Sequence, residues 1–230
     1  MYEYDLPRRL MAEAIGSFFL FAGVLGSGVM AENLAGGNVA LALLANTVAT
    51  GAILYVIIAM LGPVSGAHFN PAVTLAFTLR RETGWGEGAA YVLAQLNAGA
   101  LGAWAVHLMF DLPIMQFSTK AREGIGQWAG EGIATFGLVF TILALVRTRA
   151  AAIPLAVALY ITAAYWFTSS TSFANPAITV VRSLSNTFAG IAPADVPAFV
   201  AAQLAGAVLA VLLARWMFES GASPRTSSPA

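Results

Sequence analysis

Long apolar runs separated by short polar stretches form the main pattern of this chain. A helix needs about 20 mostly apolar residues to cross the hydrocarbon core of a bilayer. Six segments qualify: residues 9–31, 39–61, 87–109, 127–147, 151–169 and 196–218. The pattern therefore predicts an all-α membrane protein with six transmembrane helices.

Two shorter apolar pieces, at about residues 70–80 and 175–185, are too short to cross a membrane. Each follows a turn-rich stretch, "GPVSGAHF" before the first and "SSTSFA" before the second. Backbone that leaves a helix at membrane depth is tolerated only where protein buries it or where it lines a watery cavity. We therefore predict two re-entrant half-helices that line a pore or a transport site.

The two halves of the chain repeat each other. "MAEAIGSFFLF" resembles "AGEGIATFGLVF" and aligns Glu13 with Glu131, while "YVLAQLNAGALGA" resembles "FVAAQLAGAVLA" and aligns Gln95 with Gln203. The tripeptide Asn-Pro-Ala occurs once between these matches in each half. Three matches in the same order indicate a repeat rather than chance.

Each half contains three spans, which is an odd number, so the second half must insert upside down relative to the first as an inverted repeat. We predict one channel domain over residues 1–230, with repeats at about 8–110 and 127–218 and a flexible tail at 220–230.

Composition supports the membrane interpretation and excludes several other functions. Charged residues make up 10% of the chain, against about 25% in soluble domains. The 11 basic and 11 acidic residues cancel, which gives no reason to expect a nucleic-acid partner. The chain has no cysteine, and it shows no metal-ligand cluster, catalytic triad or phosphate-binding loop. We therefore expect neither an enzyme nor a cofactor.

The distribution of basic residues predicts the orientation, because cytoplasmic loops carry an excess of Lys and Arg. With the N-terminus in the cytoplasm, three basic residues lie on the far side, namely Lys120, Arg122 and Arg182. The cytoplasmic side then holds Arg8, Arg9, Arg80, Arg81, Arg147, Arg149, Arg215 and Arg225. We expect both termini in the cytoplasm.

The two Asn-Pro-Ala tripeptides read as helix starts. Asn is a favoured N-cap and Pro suits the first helical position. Half-helices in inverted repeats should meet near the membrane midplane, N-terminus to N-terminus, where each N-terminus carries about half a positive charge. Such a site repels cations and passes neutral hydrogen-bonding solutes. The two motifs are Asn70, Pro71 and Ala72 in the first half, and Asn175, Pro176 and Ala177 in the second.

These motifs carry a family resemblance over almost the whole chain. "SGAHFNPAVT", "SFANPAIT", the paired glutamate segments and the paired "AQL" resemble the aquaporins, or major intrinsic protein family. The resemblance implies six tilted helices and two half-helices around one pore in each subunit, assembled as a homotetramer. It also implies water and small neutral solutes as partners.

The ionisable residues inside the spans allow two interpretations each. A carboxylate within a span is costly and is either functional or paired. Glu13 and Glu131 could form a proton relay, but the family uses such glutamates to bind loop N–H groups, so we favour buried structural acceptors. Gln95 and Gln203 are expected to hold helix ends and loops. His68 could be a pH gate, although a hydrogen-bonded pore-loop residue is the simpler prediction.

The family resemblance also implies a narrow filter toward the outer face, with four positions found by their spacing from the two Asn residues. Water-selective members place an aromatic residue, His and Arg there, and glycerol facilitators keep Arg with aromatic residues. The corresponding residues here are Thr50, Ala163, Ser172 and Ile178. With neither an aromatic ring nor a guanidinium among them, we expect a wide, arginine-free constriction.

Such a ring suits water plus larger neutral solutes such as glycerol. The stretch "SFANPAITVVRSLSNTFAGIAP" resembles a bacterial branch associated with arsenite, which is the uncharged, glycerol-like As(OH)3 at neutral pH. The alternatives are a water-selective channel, an inverted-repeat secondary transporter, and a structural membrane protein with a closed pore. The bacterial cell membrane is the expected location.

Arg182 lies four residues after Ile178 and therefore on the same helical face. It could be a displaced filter arginine that keeps positive potential at the pore entrance. Alternatively, it is a snorkelling or loop-paired arginine at the end of the half-helix, facing Asp195.

Overall fold

The computed structural model describes residues 3–219, and the predicted tail at 220–230 lies outside the described residues. Within that range the chain is helical and contains no strand. Short 3-10 turns at Ala150–Ala152 and Pro193–Asp195 precede two of the helices. The helices are α1 (Leu6–Leu34), α2 (Val39–Ser65), α3 (Pro71–Leu79), α4 (Trp85–Met109), α5 (Ile125–Val146), α6 (Ile153–Phe167), α7 (Pro176–Arg182) and α8 (Val196–Glu219).

The six predicted spans and the two predicted half-helices all occur. Among residues 3–219, six helices are long and apolar enough to cross a membrane. The half-helices α3 and α7 have 9 and 7 residues. At 1.5 Å per residue these are roughly 10–14 Å long, which is about half of the hydrocarbon core.

Local sequence sets several of the helix ends. The Asp5 side chain accepts a hydrogen bond from the Arg8 backbone N–H (3.2 Å), and Asn38 accepts one from that of Leu41 (3.1 Å), so both cap their helices. At the other end of α2, Gly66 adopts φ +86°, the left-handed conformation in which glycine costs least. This turn releases the chain into the first re-entrant loop.

Helix contacts follow the two-fold repeat. In the first half α1 packs against α2 and α4, and in the second half α5 packs against α6 and α8. Each half-helix also packs against a helix of the other half, because α3 contacts α8 and α7 contacts α4. The pair α2 and α6 joins the halves. This pattern maps α1–α4 onto α5–α8, as an inverted repeat requires.

Small residues allow the helices to approach closely at the repeated packing sites. A methyl group on Gly102 of α4 would lie 2.6 Å from the carbonyl oxygen of Phe18 in α1. In the second half, one on Gly206 of α8 would collide with the carbonyl oxygen of Gly132 in α5. Close backbone approach of this kind is typical of helix pairs in membranes. Large apolar side chains such as Leu101 remain exposed on the outer faces, where lipid can cover them.

Candidate functional site: a pore between the two re-entrant loops

The two Asn-Pro-Ala motifs meet in the interior of the helix bundle. Asn70 Oδ1 accepts a hydrogen bond from the Ala72 backbone N–H (2.8 Å), and Asn175 Oδ1 accepts one from that of Ala177 (3.0 Å). Each asparagine therefore caps its own half-helix, as the sequence predicts. The amide nitrogens cross to the other half: Asn70 Nδ2 donates to the Ala174 carbonyl (2.7 Å), and Asn175 Nδ2 donates to that of Phe69 (2.8 Å).

Glu13 and Glu131 hold the backbone of the two re-entrant loops, and both are fully buried. Glu13 accepts hydrogen bonds from the backbone N–H groups of His68 (2.9 Å) and Phe69 (2.8 Å). Glu131 does the same for Phe173 and Ala174, both at 2.8 Å. A carboxylate engaged in this way is a structural acceptor, so the geometry favours that role over a proton relay.

Gln95 and Gln203 complete this support from α4 and α8. Gln95 Nε2 donates to Glu13 (2.8 Å) and to the Thr74 hydroxyl (3.2 Å). Gln203 Nε2 donates to Glu131 and to the Thr179 hydroxyl (2.9 Å). Because Thr74 and Thr179 lie on the half-helices, each glutamine joins a half-helix to the glutamate that holds its loop.

Both re-entrant loops carry residues in the left-handed backbone region. Ala67 and Phe69 have φ values of +50° and +47°, and Ser172 and Ala174 have +49° and +47°. Left-handed non-glycine residues are costly and occur where the surrounding structure imposes them. Here the carboxylates of Glu13 and Glu131 hold the neighbouring N–H groups, which explains how the conformation is maintained.

A narrow cavity of about 60 Å³ runs from the Asn-Pro-Ala motifs toward the C-terminal end of α7. Three of the four predicted filter residues line it, namely Thr50, Ser172 and Ile178. The Thr50 hydroxyl shares a hydrogen bond with the Tyr165 hydroxyl (3.2 Å). The Ser172 hydroxyl is buried and has no hydrogen-bond partner in the described part of the chain.

The fourth filter prediction, Ala163, is wrong. Ala163 is exposed on the outer side of α6 and does not line the cavity, whereas Ile161 and Tyr165 of the same helix do. Residues 161 and 165 are four apart and share a helical face, while residue 163 lies on the opposite side. The residues of α6 that line the cavity therefore lie two positions to either side of the one that the family spacing selects.

The expectation of an arginine-free ring without an aromatic residue is also wrong. Arg182 and Tyr165 both line the same cavity as Ile178. Arg182 is 2% exposed. Its Nε donates to the Ala189 carbonyl, and its guanidinium carbon lies 3.3 Å from the centre of the Phe173 ring. Arg182 is thus both paired with a loop and directed at the pore. Asp195 is not its partner, because that carboxylate accepts from the Arg122 backbone N–H (2.7 Å).

On the other side of the motifs the passage widens to a vestibule of about 910 Å³. Its lining is mostly apolar and comes from α2, α3, α6 and the segment before α6, with Arg81 and Glu82 near its end. His68 lines both this vestibule and the narrow cavity. Its ring stacks on Phe77 with centroids 4.8 Å apart, and its Nδ1 lies 3.2 Å from the Thr74 hydroxyl. Ile58, Ala67 and Val73 also line both cavities, so the two cavities lie next to each other on either side of these four residues.

Comparison with known proteins agrees with this geometry. A family profile described as "MIP: Major intrinsic protein" matches residues 1–165. The chain is 56% identical over 219 residues to the "Aquaglyceroporin AqpS" of Rhizobium meliloti (strain 1021), over 95% of this chain and 94% of that protein. The chain belongs to the major intrinsic protein family.

Other relatives agree over shorter or more distant matches. The "Probable aquaporin NIP4-2" of Arabidopsis thaliana is 37% identical over 140 residues, which is 60% of this chain and 48% of that protein. The solved structure of an aquaglyceroporin from Plasmodium falciparum shares the fold with a TM-score of 0.70 at 19% identity, covering 91% of this chain and 95% of that one. This major intrinsic protein is therefore an integral membrane channel for water and small solutes, and not an enzyme.

Three basic residues of this major intrinsic protein, Lys120, Arg122 and Arg182, lie close together at the Arg182 end of the narrow cavity, and we call this group the basic mouth. Lys120 and Arg122 belong to the segment that links the two repeats, residues 110–124. Burial and the nearby charges of Arg122 and Arg182 lower the pKa of Lys120 to about 8. Burial lowers the pKa of Arg122 to about 10, so this residue stays charged at neutral pH.

Sequence reasoning missed three residues that shape this end of the pore. Tyr165 could have been found from helical periodicity, because Ile161 and Tyr165 are four residues apart on an apolar helix. Phe173 occupies the repeat position equivalent to His68, which is a usable signal. Arg122 lies in a linking segment without periodicity, and only the tertiary structure shows where its side chain goes.

Proposed function

We propose that this protein is a passive channel that conducts water together with small uncharged solutes that carry hydroxyl groups, with glycerol and arsenite as the candidate larger solutes. The observation that carries the proposal is the lining of the narrow cavity. Three residues with hydroxyl groups, Thr50, Tyr165 and Ser172, line one cavity, and the buried Ser172 hydroxyl lacks a hydrogen-bond partner within residues 3–219.

The rest of that lining is apolar and includes Leu20, Leu54 and Ile161. A polyol presents hydroxyl groups on one side and CH groups on the other, so a passage with both kinds of lining can desolvate it at low cost. The printed name of the relative from Rhizobium meliloti, an aquaglyceroporin, supports the same solute class. Arsenite fits this chemistry because As(OH)3 is neutral and carries three hydroxyl groups.

Exclusion of cations follows from two features of the same passage. The N-terminal ends of α3 and α7 point toward its centre, with their positive dipole ends close together. Arg182 adds a full positive charge next to the filter. A neutral solute experiences neither barrier, whereas a cation meets both.

Two alternative functions make different predictions for the same site. A water-selective channel requires that the filter reject glycerol, which the small side chains of Thr50 and Ser172 do not favour. An ion-coupled secondary transporter requires an acid that can exchange protons or bind ions. Glu13 and Glu131 are the buried acids of the described spans. Both carboxylates already accept hydrogen bonds from loop N–H groups.

The proposal is tested by measuring fluxes of water, glycerol, urea and arsenite in proteoliposomes containing the purified protein. We expect water and glycerol fluxes above those of empty liposomes, linear in the solute gradient and independent of ion gradients. Saturating flux that follows an ion gradient would instead support the transporter, and water flux alone would support the water-selective channel. A protein that conducts none of the four solutes contradicts the proposal.

A serine variant tests the role of the unpartnered hydroxyl. Ser172→Ala should reduce glycerol and arsenite flux by about twofold to tenfold, the effect of losing one hydrogen bond, with a smaller change for water. Ser169→Ala is the matched control, because Ser169 lies in the same loop but is exposed and donates to the Gly126 carbonyl (2.7 Å). Equal effects of the two variants would contradict the role of Ser172.

The assembly and location are part of the same proposal. We propose a homotetramer in the bacterial cell membrane, with one pore in each subunit and both termini in the cytoplasm. Exposed apolar side chains such as Leu93, Leu159 and Trp166 cover the outer helix faces and can contact lipid or neighbouring subunits. Mass measurement in detergent tests the tetramer, and reporter fusions to the two termini test the orientation.

A further inference from the structure

The segment that links the two repeats is attached firmly to the loop between α7 and α8. The Ser118 backbone N–H donates to the Ser183 carbonyl (2.9 Å), and the Ala192 N–H donates to the Lys120 carbonyl (2.7 Å). The Asn186 side chain accepts from the backbone N–H of Thr119 (3.0 Å). These bonds hold residues 118–122 beside the mouth of the narrow cavity.

Arg122 joins this segment to two loops of the second repeat through three hydrogen bonds. Its backbone N–H is held by Asp195, its Nε donates to the Gly190 carbonyl (2.8 Å), and its Nη1 donates to the Ser170 carbonyl (3.1 Å). Ser170 belongs to the second re-entrant loop. Arg122 therefore connects the linking segment, the α7–α8 loop and the re-entrant loop, although it does not itself line the cavity.

Two guanidinium groups contact the same aromatic ring. The guanidinium carbon of Arg122 lies 4.8 Å from the centre of the Phe173 ring, and that of Arg182 lies 3.3 Å from it. Phe173 lines the narrow cavity and is 5% exposed. Its other neighbour is Phe199 of α8, at a centroid distance of 5.2 Å in an edge-on arrangement.

We propose that Arg122 is a specificity-determining positioning residue, which fixes the Phe173 ring and through it the place of the Arg182 guanidinium in the filter. The proposal rests on the proposed channel function and adds to it. The position of the filter groups then depends on a residue that does not line the pore and that belongs to the segment joining the two repeats. Arg182 needs this support because only its Nε is engaged by a hydrogen bond within residues 3–219.

The first repeat has the same contact with different chemistry. The positions of Phe173 and Arg182 are occupied there by His68 and Phe77, and the His68 ring stacks on the neutral ring of Phe77 instead of contacting a guanidinium. Arg122 and its contact with Phe173 are therefore an addition to the two-fold framework. They lie on the side of the small cavity of about 60 Å³, where a small displacement changes the selection of solutes most.

The test compares the ratio of glycerol to water permeability in proteoliposomes for Arg122→Ala and the unaltered protein. Without Arg122 the ring and Arg182 sample more positions, so the ratio should rise by about threefold or more, as expected for the loss of one cation–π contact. Arg122→Gln, whose amide nitrogen lies where the Nε of Arg122 lies and can still donate to the Gly190 carbonyl, lacks the guanidinium over Phe173; it should give a similar rise and replaces Arg122→Ala if that variant does not fold.

The matched control is Lys120→Met. It removes one positive charge from the same segment, but Lys120 contacts Phe188 rather than Phe173. We expect the ratio in Lys120→Met to stay at the value of the unaltered protein. An equal rise in Lys120→Met would show that mouth charge alone is responsible, and the proposal would be overturned.

A double variant tests whether Arg122 acts through the ring. In a Phe173→Leu background the ratio is expected to be already raised, and adding Arg122→Ala should change it little, because contacting residues are non-additive. A full additional change in that background overturns the proposal, as does an unaltered ratio in both Arg122 variants. If the unaltered protein conducts neither water nor glycerol, the channel function fails; if it conducts both and the ratio is unaffected, only the role of Arg122 fails.

Discussion

The two re-entrant loops of this channel, residues 66–70 and 168–175, share one framework and differ two residues before the asparagine. In each loop a buried glutamate accepts two neighbouring backbone N–H groups, and an asparagine caps the half-helix and donates to the opposite loop. Two residues before the asparagine, however, the first loop has His68 and the second has Phe173. The two-fold symmetry therefore holds for the groups that satisfy the backbone and fails for those that face the solute.

The difference between His68 and Phe173 follows the difference between the two sides of the pore. His68 lies where the narrow cavity opens into the apolar vestibule of about 910 Å³. Phe173 lies at the narrow end, beside Arg182 and Arg122. The repeated glutamate and asparagine contacts explain how the two loops are held at the centre of the pore. In the proposed function, selection is added on one side only, by arginine residues whose equivalent in the first repeat carries no charge.

The largest effect is expected from removing either framework glutamate. Glu13→Ala and Glu131→Ala each leave two buried backbone N–H groups unpaired, at a cost of about 1–3 kcal/mol for each group. Because the two halves share this framework, both variants should lose most of their folded protein, to similar extents. Thermal unfolding followed by size-exclusion chromatography measures this, with exposed Glu123→Ala as the control. If Glu131→Ala lowered the amount of folded protein and Glu13→Ala did not, the two loops would not depend on the same framework.

Arg182→Ala tests the charge on the narrow side. Removing a buried positive charge from the cavity lining lowers the electrostatic barrier to cations, and Na⁺ or K⁺ leak should rise on the order of tenfold. Arg182→Lys is the control, because it keeps the charge but not the flat contact with Phe173. It should retain most of the block. Cation leak that stays unchanged in Arg182→Ala would mean that the half-helix ends form the barrier without this residue.

Ile178→Arg tests whether the missing arginine at that position leaves room for larger solutes. The new guanidinium would enter the cavity one helical turn from Arg182 and occupy space beside Thr50 and Ser172. Glycerol flux should fall by about fivefold relative to water flux, an effect of the size that one altered contact in a site can produce. Ile178→Met, with similar volume and no charge, should keep the ratio. An equal loss of glycerol and water flux would contradict this prediction.

The sequence predicted the framework of this protein better than its filter, for physical reasons. The spans and half-helices follow from local signals: the length of the apolar runs, and the Asn-Pro pair as N-cap and first turn. The need of Glu13 and Glu131 for partners follows from the cost of burying a charge, and the family resemblance identified loop N–H groups as those partners.

The filter was predicted less well because its residues come from segments with no local signal of their orientation. Ala163 was chosen by counting back from Asn175 through a turn of assumed length, and the residues of α6 that line the cavity are Ile161 and Tyr165. Periodicity along α6 would have selected Tyr165 instead. The contact between Arg122 and Phe173 joins the linking segment to the second loop, and no pattern in the sequence indicates which basic residue of that segment turns inward.

The smallest expected effect concerns the pH dependence of the basic mouth. The pKa of Lys120 is lowered to about 8 by burial and by the charges of Arg122 and Arg182, with Glu32 opposing the shift. Lys120 is therefore charged below pH 8 and neutral above it, so the mouth repels cations less as the pH rises. In the unaltered protein, cation leak should increase by about twofold between pH 7 and 9, since one charge near water is strongly screened. Adding Lys120→Met should abolish this increase, while glycerol flux stays constant with pH because the solute is neutral. A rise in cation leak that persists in Lys120→Met would mean that another group titrates. The charge of Lys120 would then not be one of the differences between the two sides of the pore.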